Sequence, residues 1–336
     1  MTSRILKIGV ELSGNATADR ARGYYLLREL KSLGLEVKSV NENDTVDIRI
    51  MLKRDFLREK KDEIRIFDIS DAILTPPIDR NWIKRLYQKM VVNERNANFL
   101  FQCDAVVVAS QAQRDVMKKY NKNVKIIPDS SYYHELFQIA NKPTTLDKTI
   151  FVWDGQGHNF PYLEQVIQNN IIFFRRSDVL LKVITDRFNQ LSNIDNMVKL
   201  VKYEINSEFV EWKVDTFMKE VNTAHVGLAP VNLKCPHAFA KPDNKLVNYQ
   251  GLGLPVIASA TRAYVDFSWN SPGGVITCKT DADWHMALEY WRVNNLQAMR
   301  RGFLGRQYVL DNYAPAVLAK QWQSIVLELA FASDEK

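Results

Sequence analysis

Short apolar blocks alternate with longer amphipathic stretches along most of this chain. In the first half, residues 4–10, 35–40, 46–52, 64–69, 104–110 and 124–127 read as strands, and 24–33, 81–101 and 111–120 as helices. Gly34 closes the first of those helices. In the second half, residues 149–153, 179–185, 198–203, 225–229, 256–260 and 275–278 read as strands. Residues 160–167, 209–221, 281–293, 295–312 and 316–329 read as helices. Strand blocks that are apolar throughout belong in a sheet covered on both faces, which means a parallel sheet flanked by helices. The polar run NKPTTLDK at 141–148 reads as a linker. The expected plan is therefore two similar α/β domains, 1–140 and 149–315, followed by a last helix within 316–336 beyond Pro315.

Composition narrows the class. With 336 residues, 46% hydrophobic and 25% charged, the chain suits two soluble globular domains. Its net charge of +6 favours polyanionic partners such as nucleotide diphosphates or anionic lipid headgroups. No basic run with interleaved aromatics is present, so nucleic acid is not an expected partner. Cys103, Cys235 and Cys278 are odd in number and far apart, which points to a reducing compartment and no disulfide framework. The expectation is a cytoplasmic protein whose membrane contact, if it has any, is peripheral at the inner face. The loop after the first strand lacks G-x-G-x-x-G, which weighs against a nicotinamide-dependent enzyme.

The most informative chemistry lies at 237–260, HAFAKPDNKLVNYQGLGLPVIASA, which reads as loop, helix, tight turn and strand. Lys241, Asp243, Asn244 and Lys245 fall at the expected helix start. A helix N-terminus already carries partial positive charge, so lysines there are expected to share an anion, and a diphosphate fits. Lys241 and Lys245 stand about one turn apart and should lie on one face. Two lysines alone are equally well read as a solvated surface turn.

The wider pattern favours the anion. Gly253 to Ser259 resembles the G-x-P-V-I-A-S turn and strand of the donor domain in GT-B glycosyltransferases, and the likeness extends upstream over 209–232. The nearest group is the retaining, family-4-like enzymes. That resemblance implies two Rossmann-like domains facing a cleft, with a C-terminal helix crossing back. It implies metal-independent transfer of a sugar from a nucleotide-diphosphate sugar to a glycan, lipid-linked or small-molecule acceptor, with no further cofactor. Many of those enzymes carry two glutamates on this helix, where this chain has Ala240 and Asn248. Asn248 can bond a ribose hydroxyl, but Ala240 cannot replace a carboxylate. A sugar-nucleotide epimerase or hydrolase, or a catalytically silent binding domain, therefore stays open.

Other candidates follow from position. Asp68 and Asp71 close a strand before Pro76-Pro77, similar to a Y-D-x-D-D element of one GT-B subgroup, and could place an acceptor hydroxyl or act as base. Ser13, Gly14, Asn15, Arg20 and Arg22 in the first loop are candidate acceptor or phosphate contacts. Gly155, Gly157, His158 and Asn159 lie between a strand and a helix, where a backbone can approach phosphate closely. Pro230, Asp243, Asn244 and Asn248 complete the expected donor set. His134 could face the same site, although a lone histidine is more often structural.

Overall fold

The computed structural model describes residues 5–14, 19–41, 43–52, 62–70, 93–130, 147–186, 191–213 and 216–334. The chain divides into two compact units. The first comprises Met1–Tyr132, Cys235–Asp243 and Asp311–Lys336, and the second Tyr133–Lys234 and Asn244–Leu310. The expected linker at 141–148 lies almost wholly outside the described residues.

The first unit holds β1 (Lys7–Glu11), β2 (Glu36–Ser39), β3 (Ile48–Leu52), β4 (Ile64–Ile69), β5 (Ala105–Val108) and β6 (Val124–Ile126). They form one parallel sheet in the order β2-β1-β3-β4-β5-β6. β3 and β5 are buried along their whole length, as the apolar blocks predict. Helices α1 (Tyr24–Ser32), α2 (Asn93–Gln102) and α3 (Gln111–Met117) belong to this unit. Residues 81–92 of the long helix expected at 81–101 lie outside the described residues. The last helix, α13 (Pro315–Asp334), also belongs here and packs on α1. Leu318, Trp322 and Val326 share a core with Leu26 and Leu30 of α1. Lys125 reaches Glu328 at 2.7 Å.

In the second unit the strands are β7 (Thr149–Asp154), β8 (Val179–Thr185), β9 (Ser207–Glu211), β10 (Val226–Ala229), β11 (Val256–Ser259) and β12 (Val275–Cys278). Their order is β12-β11-β10-β7-β8-β9, all parallel. Numbered within the unit, this is the Rossmann order, with its topological switch point between β7 and β10. The helices are α4 (Phe160–Asn169), α5 (Ile171–Phe174), α6 (Leu191–Lys202), α7 (Phe217–Asn222), α8 (Pro236–Phe239, counted with the first unit), α9 (Asn244–Gly251), α10 (Arg262–Asn270), α11 (Asp281–Val293) and α12 (Asn295–Tyr313).

One strand assignment fails. Residues 198–203, expected as a strand, are mostly the end of α6, and the strand is β9, which overlaps the first residues of the stretch expected as a helix. Asn196 and Leu200, four residues apart, face inward, while Val198 and Val201 point to solvent. That spacing is helical, and the apolar density on two helical faces mimics a strand block. β9 is an edge strand, only partly buried, so its apolar signal is weak. Helices α5, α8 and α10 were not legible in the pattern.

The turn after α9 has a close backbone contact. Gly253 has φ +72°, a left-handed conformation natural to glycine, and Gly302 of α12 lies against it. A methyl group at Gly302 would sit 1.8 Å from the Gly253 carbonyl oxygen, where no flexible side chain can give way. Gly302→Ala should therefore destabilise the protein by about 1–3 kcal/mol or more, measured by denaturant unfolding. Gly34→Ala is the useful contrast, because open space surrounds that site and only its φ of +85° opposes the change.

The free thiols differ in environment. Cys278 is fully buried at the end of β12, and burial, with a smaller effect of Asp283, pushes its thiol up to about 12. Cys235 is half-buried. Alkylation of the native protein at neutral pH should label Cys235 and leave Cys278 unmodified until the chain unfolds, as peptide mapping would show.

Candidate functional site

The switch point of the second unit gathers the chemistry. β7 ends in Trp153 and Asp154, and β10 runs into Pro230 and Val231. Carboxyl ends of strands at a switch point are where open α/β sheets bind ligands. Helix α9 supplies Tyr249 and Lys245 to this edge. Tyr249 is fully buried, and its ring lies against Gly227, where a Cβ would come within 2.5 Å of it. Its hydroxyl oxygen accepts the Asp154 N–H at 2.9 Å. Burial, and then the Asp154 charge, raise its pKa well above the ordinary tyrosine value, so it stays a neutral clamp between α9 and the end of β7.

One turn before Tyr249, Lys245 reaches the same strand end. Its ammonium donates to the Asp154 carbonyl oxygen, lies 3.8 Å from Asp154 Oδ1, and sits 5.1 Å from the centre of the Trp153 ring. Trp153 is buried and also packs on Gly155, where a Cβ would meet its ring at 2.5 Å. A cation over an indole face next to a carboxylate is held by charge from two directions.

Two more contacts shape the rim. The Gly157 N–H donates to Asp186 Oδ1 at 2.8 Å, and Asn196 Nδ2 donates to the Gly157 carbonyl at 3.2 Å. The turn after β7 is thus tied to the end of β8 and to α6. Beyond β10, the Val231 N–H donates to Ser259 Oγ at 2.9 Å, and the Ser259 hydroxyl lies 3.0 Å from the Val231 carbonyl it can donate to.

The first unit has a different feature. Arg22, in a short π-helix (Asp19–Gly23), is buried between Asp68 and Asp129. Its Nε lies 2.9 and 2.8 Å from the two Asp68 oxygens, and an Nη also donates to the Ile127 carbonyl at 3.1 Å. Burial pushes the Asp68 carboxyl up, Arg22 pulls it down, and Asp129 pushes it up again, for a net raised value. Burial works against the charge on Arg22, but the two aspartates together raise its pKa further above its already high value.

No family model and no curated protein sequence matches the chain. Solved structures do. Sucrose-phosphate synthase from Thermosynechococcus elongatus aligns over 97% of this chain and 100% of its own, at 13% identity and TM-score 0.70. A glycosyltransferase from Rickettsia africae aligns over 97% and 99%, at 12% identity and TM-score 0.67. HepE of Anabaena, solved in complex with UDP, aligns over 96% and 100%, at 10% identity and TM-score 0.65. The fold is GT-B.

Within the GT-B frame the expected residues are distributed as follows. Lys245, Gly155, Gly157 and Pro230 lie at or beside the strand ends of the switch point. His158 is exposed and Asn159 half-buried in the 3-10 turn before α4. Asn248 is half-buried on α9, and Asn244 is its first residue. Asp243 is buried and accepts from the Tyr313 hydroxyl at 2.8 Å. Gly14 has φ +75°. Asn15, Asp71 and His134 lie outside the described residues, as does the side chain of Arg20.

Two expectations are corrected. α9 begins at Asn244, so Lys241 lies ahead of the helix and shares no helical face with Lys245. Pro242 explains the shift, because it disfavours helix at Lys241 and is itself tolerated only near a helix start. Asp68 and Arg22 are not independent groups at a sheet edge but partners in a buried ion pair. Sequence reasoning missed Trp153, Asp154, Tyr249 and Asp186 as a constellation. Asp154 and Asp186 each stand at a strand's carboxyl end in the second unit, a position that singles them out once strand order is known. The chain's Asp-x-Asp, Asp281 to Asp283, opens α11 as a capping box with Thr280.

Proposed function

We propose that this protein transfers a sugar from a nucleotide-diphosphate donor to an acceptor hydroxyl, with the donor held on the second unit. The observation that carries this reading is the Lys245 ammonium, anchored at the end of β7 by Asp154 and Trp153. A lysine at a switch point, at the start of a helix, is placed to meet a diphosphate. The GT-B fold supports the reading, and so does the UDP or UDP-glucose held by HepE in its structures.

In the reaction the acceptor oxygen bonds to the anomeric carbon as the bond from that carbon to the diphosphate breaks. The electron pair leaves with the diphosphate, whose negative charge grows, and the acceptor proton passes to a base. Lys245 neutralises that growing charge, the kind of contribution that is usually the largest in catalysis. Asp154 and Trp153 fix the ammonium beforehand, so little reorganisation is needed. Gly155 and Gly157 allow the donor to approach the backbone. By resemblance, the anomeric configuration is retained and no metal is required.

The test is a thermal-shift screen against nucleotide diphosphates and nucleotide sugars, followed by turnover with product analysis. A donor that binds only the folded state raises the melting temperature. Glycosylated acceptor supports the reading. Free sugar, or an isomerised donor without acceptor, replaces it with hydrolysis or epimerisation.

A further inference from the structure

Helices α11 and α12 of the second unit turn large apolar side chains toward solvent. On α11, Met286, Tyr290 and Val293 stand at i, i+4 and i+7, with Met286 62% and Val293 63% exposed. On α12, Leu296, Phe303 and Leu304 stand at i, i+7 and i+8, with Leu296 66% and Phe303 60% exposed. The two stripes are adjacent, because the Tyr290 hydroxyl donates to Gln297 Oε1 at 2.9 Å. The opposite faces pack inward: Trp284, Leu288 and Trp291 of α11 and Ala298 of α12 lie in the core of this unit. Large apolar side chains repeated along the outward faces of two neighbouring helices differ from singly scattered surface residues and are the pattern of an interaction site.

Charge selects the occupant. α12 carries Arg300, Arg301 and Arg306 against a single acid, Asp311 near its end. Arg300 and Arg301 are exposed and lie between Leu296 and Phe303 along the helix. Of the three acids on α11, Asp283 is engaged in the cap and Glu289 with Arg292 at 2.8 Å, while Asp281 is exposed at the first position of the helix, off the Met286–Tyr290–Val293 stripe by helical spacing. The surface therefore offers apolar side chains interleaved with arginine. A second copy of the chain fits poorly, because a two-fold contact would bring together two copies of the same arginine-bearing patch. An anionic bilayer takes both features at once: the apolar side chains enter the acyl boundary, and the guanidinium groups meet the phosphates.

We infer that the outward faces of α11 and α12 form a docking surface for an anionic lipid bilayer. Nothing here depends on the sugar-transfer reading. The experiment is vesicle co-flotation of the full chain with phosphatidylcholine alone and with phosphatidylcholine mixed with phosphatidylglycerol. The expected result is binding to the mixed vesicles that weakens as salt rises. R300E/R301E should lower that partition by about tenfold or more. Leu296→Ser with Phe303→Ser should lower it at every salt concentration. All four side chains are exposed, so thermal melting should be unchanged, and either double variant can carry the test if the other misfolds. Failure of the wild-type chain to bind mixed vesicles overturns the inference. So does binding that neither double variant changes, or a wild-type dimer that Phe303→Ser disperses.

Discussion

Lys245→Ala is expected to lower turnover by on the order of 10²-fold while leaving the protein folded, because it removes one contact that strengthens as the diphosphate leaves. The structure makes this a clean substitution. The side chain is partly exposed, its ammonium bonds a backbone carbonyl, and the neighbouring Asp154 also has solvent access. No buried charge is stranded when the lysine is lost. Lys245→Arg should keep the charge but not the fit over Trp153, so it should recover only part of the turnover, since a planar guanidinium and a compact ammonium meet a ring and a carboxylate differently. Tyr249→Phe separates positioning from chemistry. It removes the acceptor of the Asp154 N–H, shifting the end of β7 without removing a charge. A large loss in Tyr249→Phe with little in Lys245→Ala would move the functional weight from the ammonium to the strand end.

Arg22→Met should have the largest effect on stability. It leaves Asp68 and Asp129 facing each other in the core of the first unit without their cation. Breaking a buried ion pair by removing one partner is expected to destabilise by about 3–5 kcal/mol at neutral pH. The pH dependence gives a sharper signature. The folded-state pKa of Asp68 is already raised, so its contribution is fully present below the ordinary carboxylate value and is lost as pH rises through the folded value. Without Arg22 that folded value moves higher still. The stability gap between Arg22→Met and the wild type should therefore shrink as pH falls from neutrality, when one carboxyl takes a proton and hydrogen-bonds the other. Denaturant unfolding across that range measures it. A gap independent of pH would mean that the aspartates are not the source of the cost.

Most of the architecture was legible from apolar blocks, because parallel strands covered on both faces are apolar throughout. β4, β8, β12 and α11 fall where periodicity places them. The failures have physical causes. β9 is a half-exposed edge strand and α6 presents apolar residues on two faces, so each imitates the other's pattern. For the candidate site, the sequence marked helix α9 and the turn after β7 but not the contacts between them. Lys245, Gly155 and Gly157 were readable as residue types suited to phosphate. That Lys245 would bind Asp154 rather than pair with Lys241 depends on where the helix begins, which Pro242 sets. The Arg22 cluster joins residues 46 and 107 positions apart, a distance no local pattern reports.

Calorimetric titration of nucleotide diphosphates and nucleotide sugars into the wild type and Lys245→Ala tests the central claim most directly. The account predicts saturable binding of at least one nucleotide diphosphate by the wild type, weakened about tenfold or more in the variant, with both proteins melting at the same temperature. Equal affinity in the two proteins, or no binding by a folded wild type across the panel, would contradict it.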